Sequence, residues 1–491
     1  MKAKYSLIAL PIILGLTACG GGNGSNNDPA PGGSSPTPDP APDTYTFDSP
    51  FVSGESSVSY TGQTKRLLLI SELTSAIKNL DDNQAQNVKA DLDFFFDFNG
   101  STSDGLNYSF ELSGQTLVPG PTYGDVASGK SLSAKIAGND PALIDGDFFG
   151  WEEGMDVDPT PEELVDYFFD QLHALATDGA SDQITLADSS TVAIDVNYLS
   201  PEGLDYAQLV QKFLLGSVTF SQGTGDYLQT DFSVNNDVAA TGKTYSFPQH
   251  KWDEAFGYFG AARDYNDYTD DEIAGKGTGT SQRPKGYFDT NGDGDIDLHS
   301  ELNQANSTNC AKRDRGATIA TNFTKDAFDA FVLGRHILNK DENLTADELE
   351  SLREAALTAS VTWEKCIAAT VVHYINDTIK DMDAYVANGG YADLQAFKNL
   401  AKHWGEMKGF ALGLQFNPDS PFRDSTENLD KLKLALSLMG DAPVLADGTQ
   451  NGAPFNGGGA NGVAQYKEDL LEVRDIFQEV YEFDADNVTD W

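Results

Sequence analysis

Capped helix starts, each followed by apolar residues at three- and four-residue spacing, constrain this chain's fold more than any other feature. Thr160-Pro161-Glu162-Glu163 supplies a Thr cap, a Pro in the first turn and a Glu to close a capping box. Leu164, Tyr167, Phe168 and Leu172 follow on one helical face. Thr345-Ala346-Asp347-Glu348 repeats the device ahead of Leu349, Leu352 and Ala356. Phe328, Phe331, Val332 and Ile337 mark another helix; Ile367, Val371, Tyr374 and Ile375 mark the next. Leu394, Phe397, Leu400 and Trp404 mark one more, and residues 465–481 the last. Gln63–Leu80 also reads as a helix. Phe47–Tyr60 reads as extended, residues 95–140 as turns with short strands, and residues 185–200 as a strand or two. The pattern predicts a mainly α protein, antiparallel helical bundles with small β-containing insertions.

The N-terminus points to export. Lys2 and Lys4 precede an apolar run from Tyr5 to Leu16, too short to span a bilayer as a stable helix. Leu16-Thr17-Ala18-Cys19 then places small residues before a cysteine, a pattern that resembles the bacterial lipobox. It implies cleavage after residue 18 and a lipid on Cys19, which makes a membrane the first expected partner. Gly20 is not the Asp that marks inner-membrane retention in enteric-type bacteria, so the outer membrane is expected. Residues 19–45 are Gly, Ser, Pro and Asn rich and read as a disordered linker. Such a tether spans roughly 25–30 Å end to end.

Charge narrows the partners further. There are 32 Lys and Arg against 76 Asp and Glu, a net charge of -44. Such a surface repels nucleic acid and anionic lipid headgroups and attracts cations. Of the three cysteines, Cys19 is taken by the lipid, which leaves Cys310 and Cys366. In an oxidising compartment that pair suggests one disulfide. No CxxC, HExxH, GxSxG or phosphate-binding glycine loop is present.

Two motifs suggest metal chemistry. Asp289-Thr-Asn291-Gly-Asp293-Gly294-Asp295-Ile296-Asp297 matches the core of an EF-hand-type calcium loop. Ca²⁺ takes six to eight oxygens, supplied here by alternate residues and by a turn that Gly294 permits. The twelfth position is Ser300 and Glu301 comes one residue late, so a structural Ca²⁺ site of Asp289, Asn291, Asp293, Asp295, Asp297 and Glu301 departs from the regular pattern. A solvated acidic turn is the alternative. The second motif is a repeat: His250-Lys-Trp252-Asp253-Glu254-Ala-Phe-Gly257-Tyr258 parallels Lys402-His403-Trp404-Gly405-Glu406-Met-Lys-Gly409-Phe410. On helices, His250 lies over Asp253 and Glu254, and His403 over Glu406. Two such pairs converging in a bundle suit iron or zinc. Ion pairs between packed helices are the alternative.

These stretches carry a family resemblance. Tyr60-Thr-Gly-Gln-Thr-Lys-Arg66, His250–Gly260, Asp289–Glu301, Ala311-Lys-Arg-Asp314 and His403–Phe410 with Asn417-Pro418 resemble the family called domain of unknown function 4856, from Phe47 to the C-terminus. The helical layout and His403-x-x-Glu406 are also similar to the imelysin group of iron-regulated envelope proteins, although Ala401 stands where that group has Gly. The second resemblance implies two helical bundles related by duplication, here 46–285 and 302–491 of a folded region 46–491, joined by the loop 289–301. It also implies an iron-linked role with an outer-membrane uptake partner. A metal-dependent peptidase and a calcium-stabilised surface interaction lipoprotein without a transition metal are the other expectations.

Overall fold

A computed structural model describes residues 40–80, 88–137, 148–155, 159–178, 182–280 and 282–491. Cys19 and most of the linker lie outside the described residues. Residues 41–491 form one compact unit, mainly helical. No described helix is long and apolar enough to cross a membrane.

The first long helix, α1 (Thr61–Lys78), is buried on most of its surface. Leu67, Leu68, Leu69, Ile70, Leu73 and Ile77 are enclosed, but so are Gln63, Lys65, Arg66 and Glu72. It packs on α2 (Val88–Phe96), α4 (Tyr206–Leu214) and α5 (Phe247–Phe259). Helix α3 (Pro161–Asp178) starts at the expected capping box, with Thr160 and Glu163 bonding each other's backbone N–H. After α4 the chain continues as a π-helix, Leu215–Tyr227. Close approach shapes that segment: a Cβ on Gly216 would lie 2.7 Å from Gly413 Cα, so only glycine lets the two backbones touch.

The second half supplies α6 (Ala305–Asp314), α7 (Phe323–Leu338), α8 (Ala346–Asn388), α9 (Leu394–Leu412), α10 (Thr426–Met439), α11 (Gly459–Tyr481) and α12 (Ala485–Asp490). The segments around Leu349 and Ile367, expected as separate helices, are one 43-residue helix. Nothing between them breaks a helix: the stretch holds no Gly or Pro. Helix α8 is the spine of this half, touching α6, α7, α9, α11 and α12. Cys310 of α6 and Cys366 of α8 are joined by a disulfide, Cα to Cα 4.7 Å.

The β structure is slight, as expected. Strand β1 (Thr116–Val118) pairs in parallel with β4 (Asp295–Asp297), and β2 (Gln183–Thr185) pairs antiparallel with β3 (Thr191–Ala193). Residues 47–60 are not a strand; a lone bridge joins Asp48 and Ser56. Local backbone bonds join Ser49 to Glu55 and Ser57 to Phe47, and the Ser59 N–H and C=O serve side chains of α5.

Trp151, Trp252, Trp363 and Trp404 are all fully buried. Each removes on the order of 200 Å² from water, about 5 kcal/mol gross. Trp252 packs directly against Gly334 of α7, where an added Cβ would lie 2.0 Å from Cζ2 of the ring. Gly334→Ala is therefore expected to destabilise by about 2–3 kcal/mol, although alanine is the better helix former by about 1 kcal/mol. Urea unfolding midpoints read this, and Trp252→Leu in the same chain should remove most of the added cost. A neutral or stabilising Gly334→Ala would contradict the contact.

Candidate functional site

Helix α5 begins at Ser246, whose hydroxyl and Gln249 form a reciprocal capping box, with Pro248 in the first turn. That start places His250, Asp253 and Glu254 against α1 and the segment before it. His250 stacks on Tyr245, and its Nδ1 lies 2.9 Å from the Ser59 carbonyl oxygen, which makes Nδ1 the donor. Its Nε2 is 3.9 Å from Glu254 Oε1. Glu254 accepts from Gln63 Nε2 at 3.0 Å and lies 3.4 Å from Lys251 Nζ.

Asp253 does something else. It is fully buried and accepts from Tyr45 Oη at 2.8 Å, Ser59 N–H at 2.9 Å and Arg335 Nε at 2.8 Å. Burial pushes its pKa up, against the pull of the Arg335 guanidinium and these donors. Arg335 is equally buried and also donates to Ser57 and Asn339. This is a closed ion-pair lock that ties α5 to α7 and to residues 45–59.

The two stretches Tyr60–Arg66 and His250–Gly260 thus meet in space. Gln63 binds Glu254, Ser59 binds both His250 and Asp253, and a Cβ on Gly257 would lie 2.7 Å from Tyr60 Cβ. The second copy repeats the arrangement on α9 and α4. Gly409 faces Lys212 of α4, and Glu406 lies 3.4 Å from Lys212 Nζ and 2.7 Å from Lys402 Nζ. Burial pushes the Glu406 carboxyl up, but the two lysines and the Tyr374 hydroxyl outweigh it, and its pKa ends below the usual glutamate value. Each Trp indole donates inward, Trp252 to the Phe331 carbonyl and Trp404 to Tyr466 Oη, both at 2.8 Å.

His403 turns away from Glu406. Its Nδ1 is 2.7 Å from Asp381 Oδ2 and its Nε2 is 3.9 Å from Asp377 Oδ2, both on α8. The two repeats therefore share no partner: His250, Asp253 and Glu254 are engaged with residues 45–63, 251 and 335, whereas His403 and Glu406 are engaged with 212, 374, 377, 381 and 402. Among the described residues, no three His, Cys, Asp or Glu side chains are closed around one point as a metal ion requires.

In the loop 289–301 the Asp289 carboxylate accepts from the N–H groups of Gly292, Asp293 and Gly294 at 2.7, 3.2 and 2.9 Å. Asn291 and Asp293 each accept from the N–H two residues on, at 2.8 and 2.9 Å. Ile296 is fully buried and pairs with Leu117 across the β1–β4 ladder. Glu301 is buried and turned under the loop: Oε1 accepts from Thr290 N–H at 2.8 Å and Oε2 from Asp297 N–H at 2.9 Å. The late acid thus grips both ends of the loop from the position after the regular one.

Three functional-looking groups escaped the reading by spacing. Asp377 and Asp381 extend the row begun by His373, and the signal was their four-residue steps along α8. Glu364 is fully buried, accepts from Asn417 and Tyr481 at 2.6 Å and from Ser420, and is pushed by burial up to about 7. Its partners come from residues 53 to 117 positions away, which no local pattern announces.

Among known proteins, no curated protein and no solved structure matches the chain. A family model matches residues 42–274, which is narrower than the resemblance from Phe47 to the C-terminus: the loop 289–301 and the stretch His403–Phe410 fall outside it. The matched residues contain both of the stretches that meet at Gln63 and Glu254, and this part of the chain is similar to the family described as Domain of unknown function (DUF4856).

Proposed function

We propose that the chain is an exported lipoprotein, held to the outer membrane through a lipid on Cys19, whose folded part binds metal ions. Calcium at Asp289, Asn291, Asp293, Asp295, Asp297 and Glu301 braces the fold. A transition-metal ion or metal complex, iron first, is the cargo, handed to an uptake partner in the membrane. The observation that carries the reading is the loop. Five carboxylates are gathered in thirteen residues, and among the described residues no Lys or Arg forms an ion pair with any of them. A divalent ion relieves that repulsion, and the buried Glu301 and Ile296 already hold the turn in shape. The Cys310–Cys366 disulfide suits an oxidising compartment outside the cytoplasm.

Millimolar Ca²⁺ is expected to raise the melting temperature of the purified chain by a few degrees, since a site filled at about 100 times its Kd adds about 2.7 kcal/mol. In Asp289→Ala/Asp293→Ala the shift should vanish. Equal melting temperatures with Ca²⁺ and with a chelator in the unaltered chain would remove the calcium part of the reading.

A further inference from the structure

Cations gather at the seam between the start of α1, helix α5 and the π-helix Leu215–Tyr227. Arg66 is only 5 % exposed, and its Nε donates to the Ser131 carbonyl at 2.7 Å and its Nη1 to the Gly62 carbonyl at 3.5 Å. It also stands beside the Tyr258 hydroxyl, whose pKa burial pushes up to about 12, so that neighbour is uncharged. The Lys130 side chain lies across Gly62, where an added Cβ would be 2.9 Å from its Cε and 3.5 Å from its Nζ. Lys135 Nζ is 5.6 Å from the centre of the Tyr227 ring and Lys251 Nζ is 4.6 Å from it, so one ring lies beside both ammonium groups. We propose that Arg66, Lys130, Lys135 and Lys251 form a binding site for a phosphate-type dianion, either free or carried on a larger molecule.

Charge sets this place apart. Acids outnumber bases 76 to 32 in the chain, so a base without an acid is the exception. Among the described residues Arg66, Lys130 and Lys135 form no ion pair with a carboxylate. Lys251 shares Glu254 with Gln63, and Asp104 is taken by Lys65. Asp226 stands nearby and pairs with none of the bases. Four cations therefore face two carboxylates, Asp226 and Glu254. Burial lowers the Lys135 pKa, and Arg66 and Lys251 lower it further against the pull of those two acids, so all of these charges act on one lysine. The start of α1, with no acid in its first turn, adds its positive end to the same field.

An enclosed arginine is almost never left without a counter-charge. Removing that charge from water is costly, and an anion from solution offsets the cost. Phosphate carries about -1.5 to -2 charges at neutral pH, which matches the surplus, and its oxygens suit a guanidinium and several ammonium groups together. Lys130, Lys135 and Lys251 are half-buried, so their heads reach solvent and give the anion a way in. Both stretches that meet at Gln63 and Glu254 contribute, Gly62 and Arg66 from one and Lys251 and Tyr258 from the other.

The site goes beyond the metal readings and does not depend on them, so its test is run in chelator. Calorimetric titration of the mature chain, carrying Cys19→Ala for solubility, is expected to show one site for inorganic phosphate. Lys130→Ala/Lys135→Ala should weaken it by about 10- to 100-fold. Gly62→Ala, which drives the flexible Lys130 side chain off α1, should weaken it by less. Lys243→Ala/Lys276→Ala, which removes two exposed cations outside the cluster, should leave it unchanged. In the chain with its lysines intact, phosphate should also slow acylation of Lys130, Lys135 and Lys251 by a succinimidyl ester, a readout that needs no lysine variant to fold. Glycerol phosphate bound more tightly than inorganic phosphate supports a phosphate on a larger molecule, and equal affinity supports the free ion. No binding of either probe, unchanged affinity in Lys130→Ala/Lys135→Ala, an equal loss in Lys243→Ala/Lys276→Ala, acetate bound as tightly as phosphate, or binding only with added Ca²⁺ would each overturn the site.

Discussion

Arg335→Leu is expected to destabilise the protein by about 3–5 kcal/mol, the cost of leaving a buried carboxylate without its cation. Arg335 and Asp253 are both completely enclosed, and the pair is separated by 2.8 Å. Tyr45 Oη and Ser59 N–H remain on Asp253 in the variant, but neither carries charge. Chemical denaturation at pH 7 measures the loss. The sign of its pH dependence follows from linkage. Without Arg335 the folded-state pKa of Asp253 rises further above its unfolded value, so the folded variant binds a proton more readily than the unfolded chain. Its deficit relative to the unaltered protein should shrink as pH falls from 7 towards 5. Asp253→Leu/Arg335→Leu should recover much of the stability, because no unpaired charge stays buried. A loss below about 1 kcal/mol in the single variant would mean that water reaches the lock.

The second large effect is expected at the Cys310–Cys366 bond, which closes a sequence separation of 56 residues. In the chain-entropy picture a ring of that size is worth roughly 4 kcal/mol. Both cysteines are fully buried, between α6 and α8. Cys310→Ser/Cys366→Ser should lower the unfolding free energy by that order, and reductant should lower the unaltered protein towards the same value. If reductant leaves the unaltered protein unchanged, either the bond is shielded from thiols or it adds little. The serine pair separates those outcomes, because it lacks the bond in any buffer.

Much of this architecture was legible in the residues. The capping boxes at Thr160 and Thr345 start helices where the pattern placed them, and Gln63–Leu80 differs from the observed Thr61–Lys78 by two residues at each end. The small β content was also foreseen. What local pattern misjudged was continuity: apolar spacing marks a helix's buried face but says nothing about whether two such faces belong to one rod. Residues 47–60, read as extended, carry one isolated bridge, and the Ser59 backbone is engaged by Asp253 and His250 rather than by a neighbouring strand.

The candidate residues divide along the same line. Helical periodicity alone determined that His250 and Glu254 share a face and that His403 and Glu406 share a face, and the alternating acids with Gly294 determined that Asp289–Asp297 makes a tight acidic turn. Only the tertiary structure decided what stands opposite each. Asp253, paired in sequence with His250, faces Arg335 from α7; Glu406 faces Lys212 from α4; His403 faces Asp377 and Asp381 from α8. The physical reason is range. Spacing along a helix sets neighbours within about one turn, whereas charge, burial and hydrogen bonding act between whatever side chains the packing of distant helices brings within a few ångströms.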